Sequence, residues 1–174
     1  MSESPDQFLA WQAQSGICGE CGFNWDQRVI EGLVEQCGRD VAAFEDALES
    51  VDPHQAVAPG LWSANSYIWH SVDVLRFGAE RFWTLSLDPQ WGVPSWDEGV
   101  VAASRSYDRL SPIVAVVALG DAFATWRTAA LGAPRDVTTA HPDAGTVDTF
   151  DLVQRNTHEI KHHLFDVLRS AQIT

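Results

Sequence analysis

Four stretches of the chain carry apolar side chains at steps of three and four residues, with proline or glycine in the intervals between them. That period fits a helix and not a strand. Ile30, Leu33, Val34, Cys37, Val41, Phe44 and Leu48 mark a first helix, predicted from a cap at Asp26 to about Glu49, just ahead of Asp52-Pro53. Ser63 is the expected cap of a second, running to about Leu87 with Tyr67, Trp69, His70, Val74, Leu75, Phe77, Phe82 and Trp83 along it. The stretch DPQWGVPSW is loop, and a short helix is predicted from Asp97 to about Tyr107. Pro112 suits the first turn of a third long helix ending near Leu131, where Gly132 and Pro134 follow. Arg135 to Thr146 reads as loop, with a short extended piece at Asp136 to Thr139. Asp148 then caps a last helix bearing Phe150, Val153, Thr157, Ile160, Leu164, Val167 and Leu168. Four helices of roughly twenty residues joined by modest connections make an all-α four-helix bundle. The expected organisation is an irregular N-terminal arm over 1–24, containing Gly16, Gly19, Gly22 and a CGECG turn, and a bundle domain over 25–174.

A chain of 174 residues is long enough to bury a core without crosslinks. Its 11 Lys and Arg against 24 Asp and Glu give a formal net charge of -13, which repels phosphate backbones and anionic lipid alike. Nucleic acid is therefore not an expected partner. The start MSESPDQ carries acids where a secretory signal carries bases, and the longest apolar run, Pro112 to Gly120, has the length of a core helix. Three cysteines, an odd number, make no disulfide framework. These features set the expectation of a cytoplasmic protein with no membrane partner, a small-molecule substrate, and a monomeric or homodimeric state.

The segment THEIKHHLFDVL, Thr157 to Leu168, concentrates three histidines near the end of the last helix. Residues four apart share a helix face, so His158 and His162 can offer two imidazoles to one ion. His163 lies about 100° further round. HEIKH also satisfies the zinc-protease pattern H-E-x-x-H, with Glu159 as its general base, but the longer metzincin form needs glycine and histidine where Phe165 and Leu168 stand. Two histidines are half a site, and bundles complete such sites from a facing helix. His70 is placed to do so, among Tyr67, Trp69 and Val74 on the second helix. Alone it would read as a hydrogen-bonded core histidine; beside an H-x-x-x-H pair it reads as a third ligand.

The combination of WSANSYIWHSVDVLRFGAERF (Trp62 to Phe82), PSWDEG, THEIKHHLFDV and the N-terminal CGECGF resembles the DinB/YfiT-like superfamily, in particular its small actinobacterial-type members. The resemblance covers most of the chain. It implies a four-helix bundle with one divalent-metal site of three histidines, which map to His70, His158 and His162. It further implies a metal-dependent enzyme, since characterised relatives include transferases and isomerases that use low-molecular-weight thiols such as mycothiol or bacillithiol.

Three neutral imidazoles leave coordination positions open for water or substrate, and an ion so held lowers the pKa of bound water to about 7 or deprotonates a thiol. Zinc heads the suitable ions, with nickel, iron, manganese and cobalt also accommodated by such donors. Asp73 and Asp166 have helical offsets suited to accepting the second ring N–H of His70 and His162. Glu159 and His163 are the candidate catalytic groups, and Trp62, Tyr67, Trp69, Trp96 and Trp126 are candidates for the pocket wall. Thiol S-transfer to a small electrophile is the leading expectation. A metal-dependent hydrolase, isomerase or lyase is the alternative, and a non-catalytic metal- or ligand-binding stress protein is a third. Cys18 and Cys21 form half of a zinc knuckle, with a reduced, locally packed turn as the plainer reading, while Cys37 falls on the apolar face of the first helix.

Overall fold

The computed structural model describes residues 15–170, so the first fourteen residues of the expected arm lie outside them. In chain order the elements are α1 (Ile30–Glu49), α2 (Ala64–Leu87), the short α3 (Glu98–Arg105), α4 (Pro112–Gly132), strands β1 (Thr138–His141) and β2 (Gly145–Asp148), and α5 (Thr149–Ser170). Helices α1, α2, α4 and α5 form the bundle: α2 packs on α4 and α5, and α1 packs on α5 and α4.

Most helix starts are set by the caps that the sequence offers. Ser63 accepts the N–H of Ser66 at 3.2 Å, Asp97 that of Val100 at 2.9 Å, and Ser111 that of Val114 at 3.4 Å, one residue ahead of Pro112. Asp148 and Asp151 exchange bonds, the Asp151 N–H donating to Asp148 at 2.9 Å and the Asp148 N–H to Asp151 at 3.1 Å. Each satisfies backbone donors that a helix start leaves without partners. Asp26 is the exception. It accepts the Gly16 N–H within the arm, and α1 begins only at Ile30, with no side chain capping it.

The connection after α4 is more ordered than a loop with a short extended piece. β1 and β2 form an antiparallel hairpin with Thr138 opposite Asp148 and His141 opposite Gly145. Its turn is closed by a side chain, because His141 Nδ1 accepts the backbone N–H groups of Asp143 at 3.1 Å and Ala144 at 3.2 Å. The hairpin is tied to the loop after α2 by Val93 N–H to Ala140 O at 2.8 Å and Thr139 Oγ1 to Pro89 O at 2.7 Å.

The core is aliphatic and aromatic, with Leu33, Phe44, Ile68, Leu75, Phe82, Leu119, Trp126 and Ile160 wholly buried. By length and composition alone α4 could cross a membrane. Here it forms one wall of the bundle, burying Ala115, Leu119, Ala122 and Trp126 and leaving Ile113, Val114 and Val117 in solvent. Two glycines allow helices to approach closely. A Cβ on Gly38 of α1 would lie 2.7 Å from the Phe123 ring of α4, and one on Gly78 of α2 would lie 2.8 Å from Trp126 Cδ1 and meet Asn156 of α5. The Trp126 indole N–H donates to Asn156 Oδ1 at 2.9 Å, so neither neighbour of Gly78 is free to move aside.

Gly78→Ala should therefore destabilise the fold by about 1–3 kcal/mol through overpacking, despite the better helix propensity of alanine, as read by urea denaturation. A pH effect follows from the hairpin turn. Burial, then Arg81 nearby, lowers the His141 pKa from 6.5 to about 4. Above pH 6.5 the ring is neutral in folded and unfolded chains alike; between 6.5 and 4 only the unfolded chain takes the proton, so the fold loses stability as pH falls through that window. Thermal melts at pH 7 and pH 4.5 should show a smaller drop for His141→Asn than for the unsubstituted chain.

Candidate functional site

Helix α5 is unusual for a bundle helix because much of what it buries is polar: Gln154, Arg155, Asn156, Thr157, His158, His162, His163 and Asp166. Buried polar groups cost free energy unless paired. The partners they find, and those they lack, define two clusters of potential ligands.

The first cluster joins α2 to α5. One ligand atom from each of His70, Glu159 and His163 lies within 4.8 Å of the other two. His70 is 1% exposed, and neither of its ring nitrogens has a hydrogen-bond partner. Burial, and then the neighbouring His163, holds its pKa well below 6.5, so the ring is neutral and can donate a lone pair. Aromatic rings enclose the pair. Trp96 stacks on His70 at 5.4 Å between centroids, Trp62 meets it edge-on at 5.1 Å, and Tyr67 lies 5.1 Å from His163. Arg155 reaches Glu159 Oε1 at 3.2 Å, and Asp166 Oδ2 lies 3.6 Å from His163 Nδ1.

The second cluster joins the arm to α5. Ligand atoms of Cys18, Cys21, His158 and His162 all lie within 4.8 Å of one another. The CGECG turn is a small hairpin, with Ile17 bridged to Asn24 and the Gly22 N–H donating to Cys18 O at 3.0 Å. Gly22, at φ +71°, provides the left-handed step that folds the chain back after Cys21. Phe23 and Trp25 carry the arm onto α5, their rings 5.3 and 4.4 Å from that of His158, and Gln154 Nε2 donates to Trp25 O at 2.8 Å. Burial, then His162 and Arg155, lowers the His158 pKa to about 3, and burial pushes the Cys21 thiol up to about 12.

The structure thus separates the expected trio. His158 and His162 do share a face, but it faces the two cysteines, while His70 is grouped with Glu159 and His163. Asp73 lies elsewhere in the network than expected: its carboxylate accepts from the Tyr107 hydroxyl and from Arg105, while the His70 nitrogens remain without partners. Asp166 stands beside His163 rather than in the expected pairing with His162, and it also takes Arg169 at 2.9 Å. Of the expected pocket wall, Trp62, Tyr67 and Trp96 surround the first cluster. Trp126 is a core residue between Phe82, Phe123 and Asn156. Trp69 is buried in α2 one residue before His70, and Cys37 is buried in α1.

Arg105, Tyr107 and Arg155 were not legible as site residues. The one available signal was a second four-residue spacing, Glu159 to His163, inside the same motif. Asn65 secures Tyr107 by donating to its carbonyl at 2.8 Å and to that of Leu110 at 2.9 Å, which holds the hydroxyl over Asp73. Asp73→Ala should leave that buried hydroxyl without its acceptor and destabilise the fold by about 1–3 kcal/mol, measurable by chemical denaturation.

No family model matches the chain, and no curated protein does. Among solved structures it is similar to YfiT from Bacillus subtilis, described as a probable metal-dependent hydrolase with an unusual four-helix bundle topology. The likeness has a TM-score of 0.73 over 83% of this chain and 86% of that one, at 13% sequence identity. At that identity it carries the fold and not the activity. The chain therefore has the YfiT-type four-helix-bundle fold, the architecture that the DinB/YfiT-like resemblance implied.

Proposed function

We propose that the chain is a metal-dependent enzyme, a hydrolase of small molecules, with one divalent ion held by His70, Glu159 and His163. One observation carries this reading: the two ring nitrogens of His70 are buried without hydrogen-bond partners, beside a second imidazole and a carboxylate. Buried donors and acceptors left unpaired are costly, and a ligand-binding role accounts for them. Two histidines and one glutamate are the ligand set of well-known hydrolytic zinc centres, which keep a position open for the reactants. The likeness to YfiT points the same way.

When bound, a divalent ion there supplies Lewis acidity, the property that activates water or a thiol near neutral pH. The chain's own residues do the rest. Neutral His70 offers a lone pair, and His163 supplies the second imidazole. Arg155 restrains the Glu159 carboxylate through Oε1. Asp166 Oδ2, 3.6 Å from Nδ1 of His163, is the carboxylate placed to steady that ring. Trp62, Trp96 and Tyr67 exclude bulk water and offer flat apolar faces to a small substrate. A low-molecular-weight thiol, the co-substrate that the sequence resemblance implies, would be the alternative to water at the same residues.

The test uses the full chain loaded in turn with zinc, nickel, iron, manganese and cobalt. It is assayed on small esters, amides and phosphoesters, and separately on alkylating electrophiles with added thiol. Turnover without thiol supports the hydrolase, and thiol-dependent consumption of the electrophile replaces it with the transferase. His70→Ala and His163→Ala should each lose one equivalent of metal together with turnover, and Asp166→Asn should lower affinity or activity roughly 10–100-fold. Undiminished metal content in both alanine variants overturns the site. A full site that turns over nothing reduces the protein to a metal-binding one.

A further inference from the structure

We propose that Cys18, Cys21, His158 and His162 form a second, closed metal site, a tetrahedral zinc centre that clips the N-terminal arm to α5. This inference is independent of the catalytic reading, since it uses none of the same ligands.

Cys18 and His162 are 144 positions apart in sequence, yet Cys18 Sγ lies 3.9 Å from His162 Nδ1. All four candidate ligand atoms fall within 4.8 Å of one another. The cysteines sit in a C-x-x-C hairpin whose glycine at positive φ turns the chain back, an arrangement that brings two sulfurs toward one point. Opposite them, His158 and His162 are one turn apart on one face of α5.

The second observation is the state of His158. Its side chain is wholly buried, and neither ring nitrogen has a hydrogen-bond partner. Beside two sulfurs and another imidazole, a nitrogen lone pair of that kind is matched to a cation. The third is the orientation of His162. Its Nδ1 faces Cys18, while its Nε2 lies 3.4 Å from Glu20 Oε2. Ligating histidines commonly present their second nitrogen to a carboxylate, which fixes the tautomer. Glu20 is the residue between the two cysteines that can do this.

The donor set defines the ion and the role. Two thiolates and two imidazoles make the four-coordinate set of structural zinc, and they leave no position for a reactant. Binding releases the two thiol protons, so the ion and its two thiolates are together neutral. The site also sets the rotation of α5. With His158 and His162 held against the arm, Glu159 and His163 lie on the adjacent stripe, facing His70.

Metal analysis and cobalt substitution of the full chain test this directly. Cobalt in the site should give the strong visible bands of tetrahedral coordination and a near-ultraviolet thiolate charge-transfer band. That band should persist in His70→Ala and vanish in the Cys18→Ser/Cys21→Ser double variant, which should also retain one zinc equivalent fewer. A second measurement needs no variant: in the zinc-loaded chain Cys18 and Cys21 should resist a thiol reagent as the buried Cys37 does, and chelation should expose those two and lower the melting temperature. The proposal is overturned if wild-type protein shows no thiolate charge-transfer band, if zinc leaves thiol reactivity unchanged, or if Cys18 and Cys21 are joined as a disulfide. Failure of the His70 centre would alter none of these readings.

Discussion

An α-helix advances about 100° per residue, so two pairs of positions four apart, displaced by one residue, form adjacent stripes. On α5 those stripes are His158 with His162 and Glu159 with His163. The rest of the structure is arranged around that offset. One stripe meets His70 of α2 under a cover of Trp62, Trp96 and Tyr67; the other meets the cysteine hairpin of the arm. A slight rotation of α5 would withdraw both stripes from their partners, so the packing of α1 and α2 against α5 is also what defines the chemistry.

Burying so many polar groups on one helix is stable only where they are answered. Gln154 holds the arm's backbone, Asn156 accepts from Trp126, and Asp166 takes Arg169. On α2, Asp73 is buried but answered by Tyr107 and Arg105. His70 and His158, one in each cluster, are not answered in this way: both ring nitrogens of each lack hydrogen-bond partners. Desolvation lowers the pKa of both, so at neutral pH each is an uncharged donor of lone pairs. Two buried imidazoles with both nitrogens unanswered, each in a group of side chains able to hold a metal ion, are the arrangement expected of binding sites rather than of a packing core.

Much of the architecture was legible in the chain because the signals are local. Ser63, Asp97 and Asp148 mark helix starts through bonds within a turn, Pro112 marks one through its fixed φ, and the apolar period of 3.6 residues marks the faces. Where a residue's partner is distant, the local signal failed. Asp26 reads as a cap but serves the arm through Gly16, and α1 starts later as a result. The hairpin of β1 and β2 is closed by a histidine side chain, which has no place among the usual turn signatures. Asp73 is three residues from His70, a suitable offset, yet it turns to Tyr107 because Asn65 places that residue within reach.

The sequence by itself determined the four helices, the bundle and the identity of the residues able to bind a metal, because helical periodicity and ligand type are properties of short segments. It also determined that His158 and His162 share a face. Only the tertiary structure decided what that face meets. Spacing along a helix states which side chains point the same way, but the rotation of α5 about its axis comes from its contacts with α1, α2 and the arm. That rotation places the two histidines against Cys18 and Cys21 and leaves His70 with Glu159 and His163.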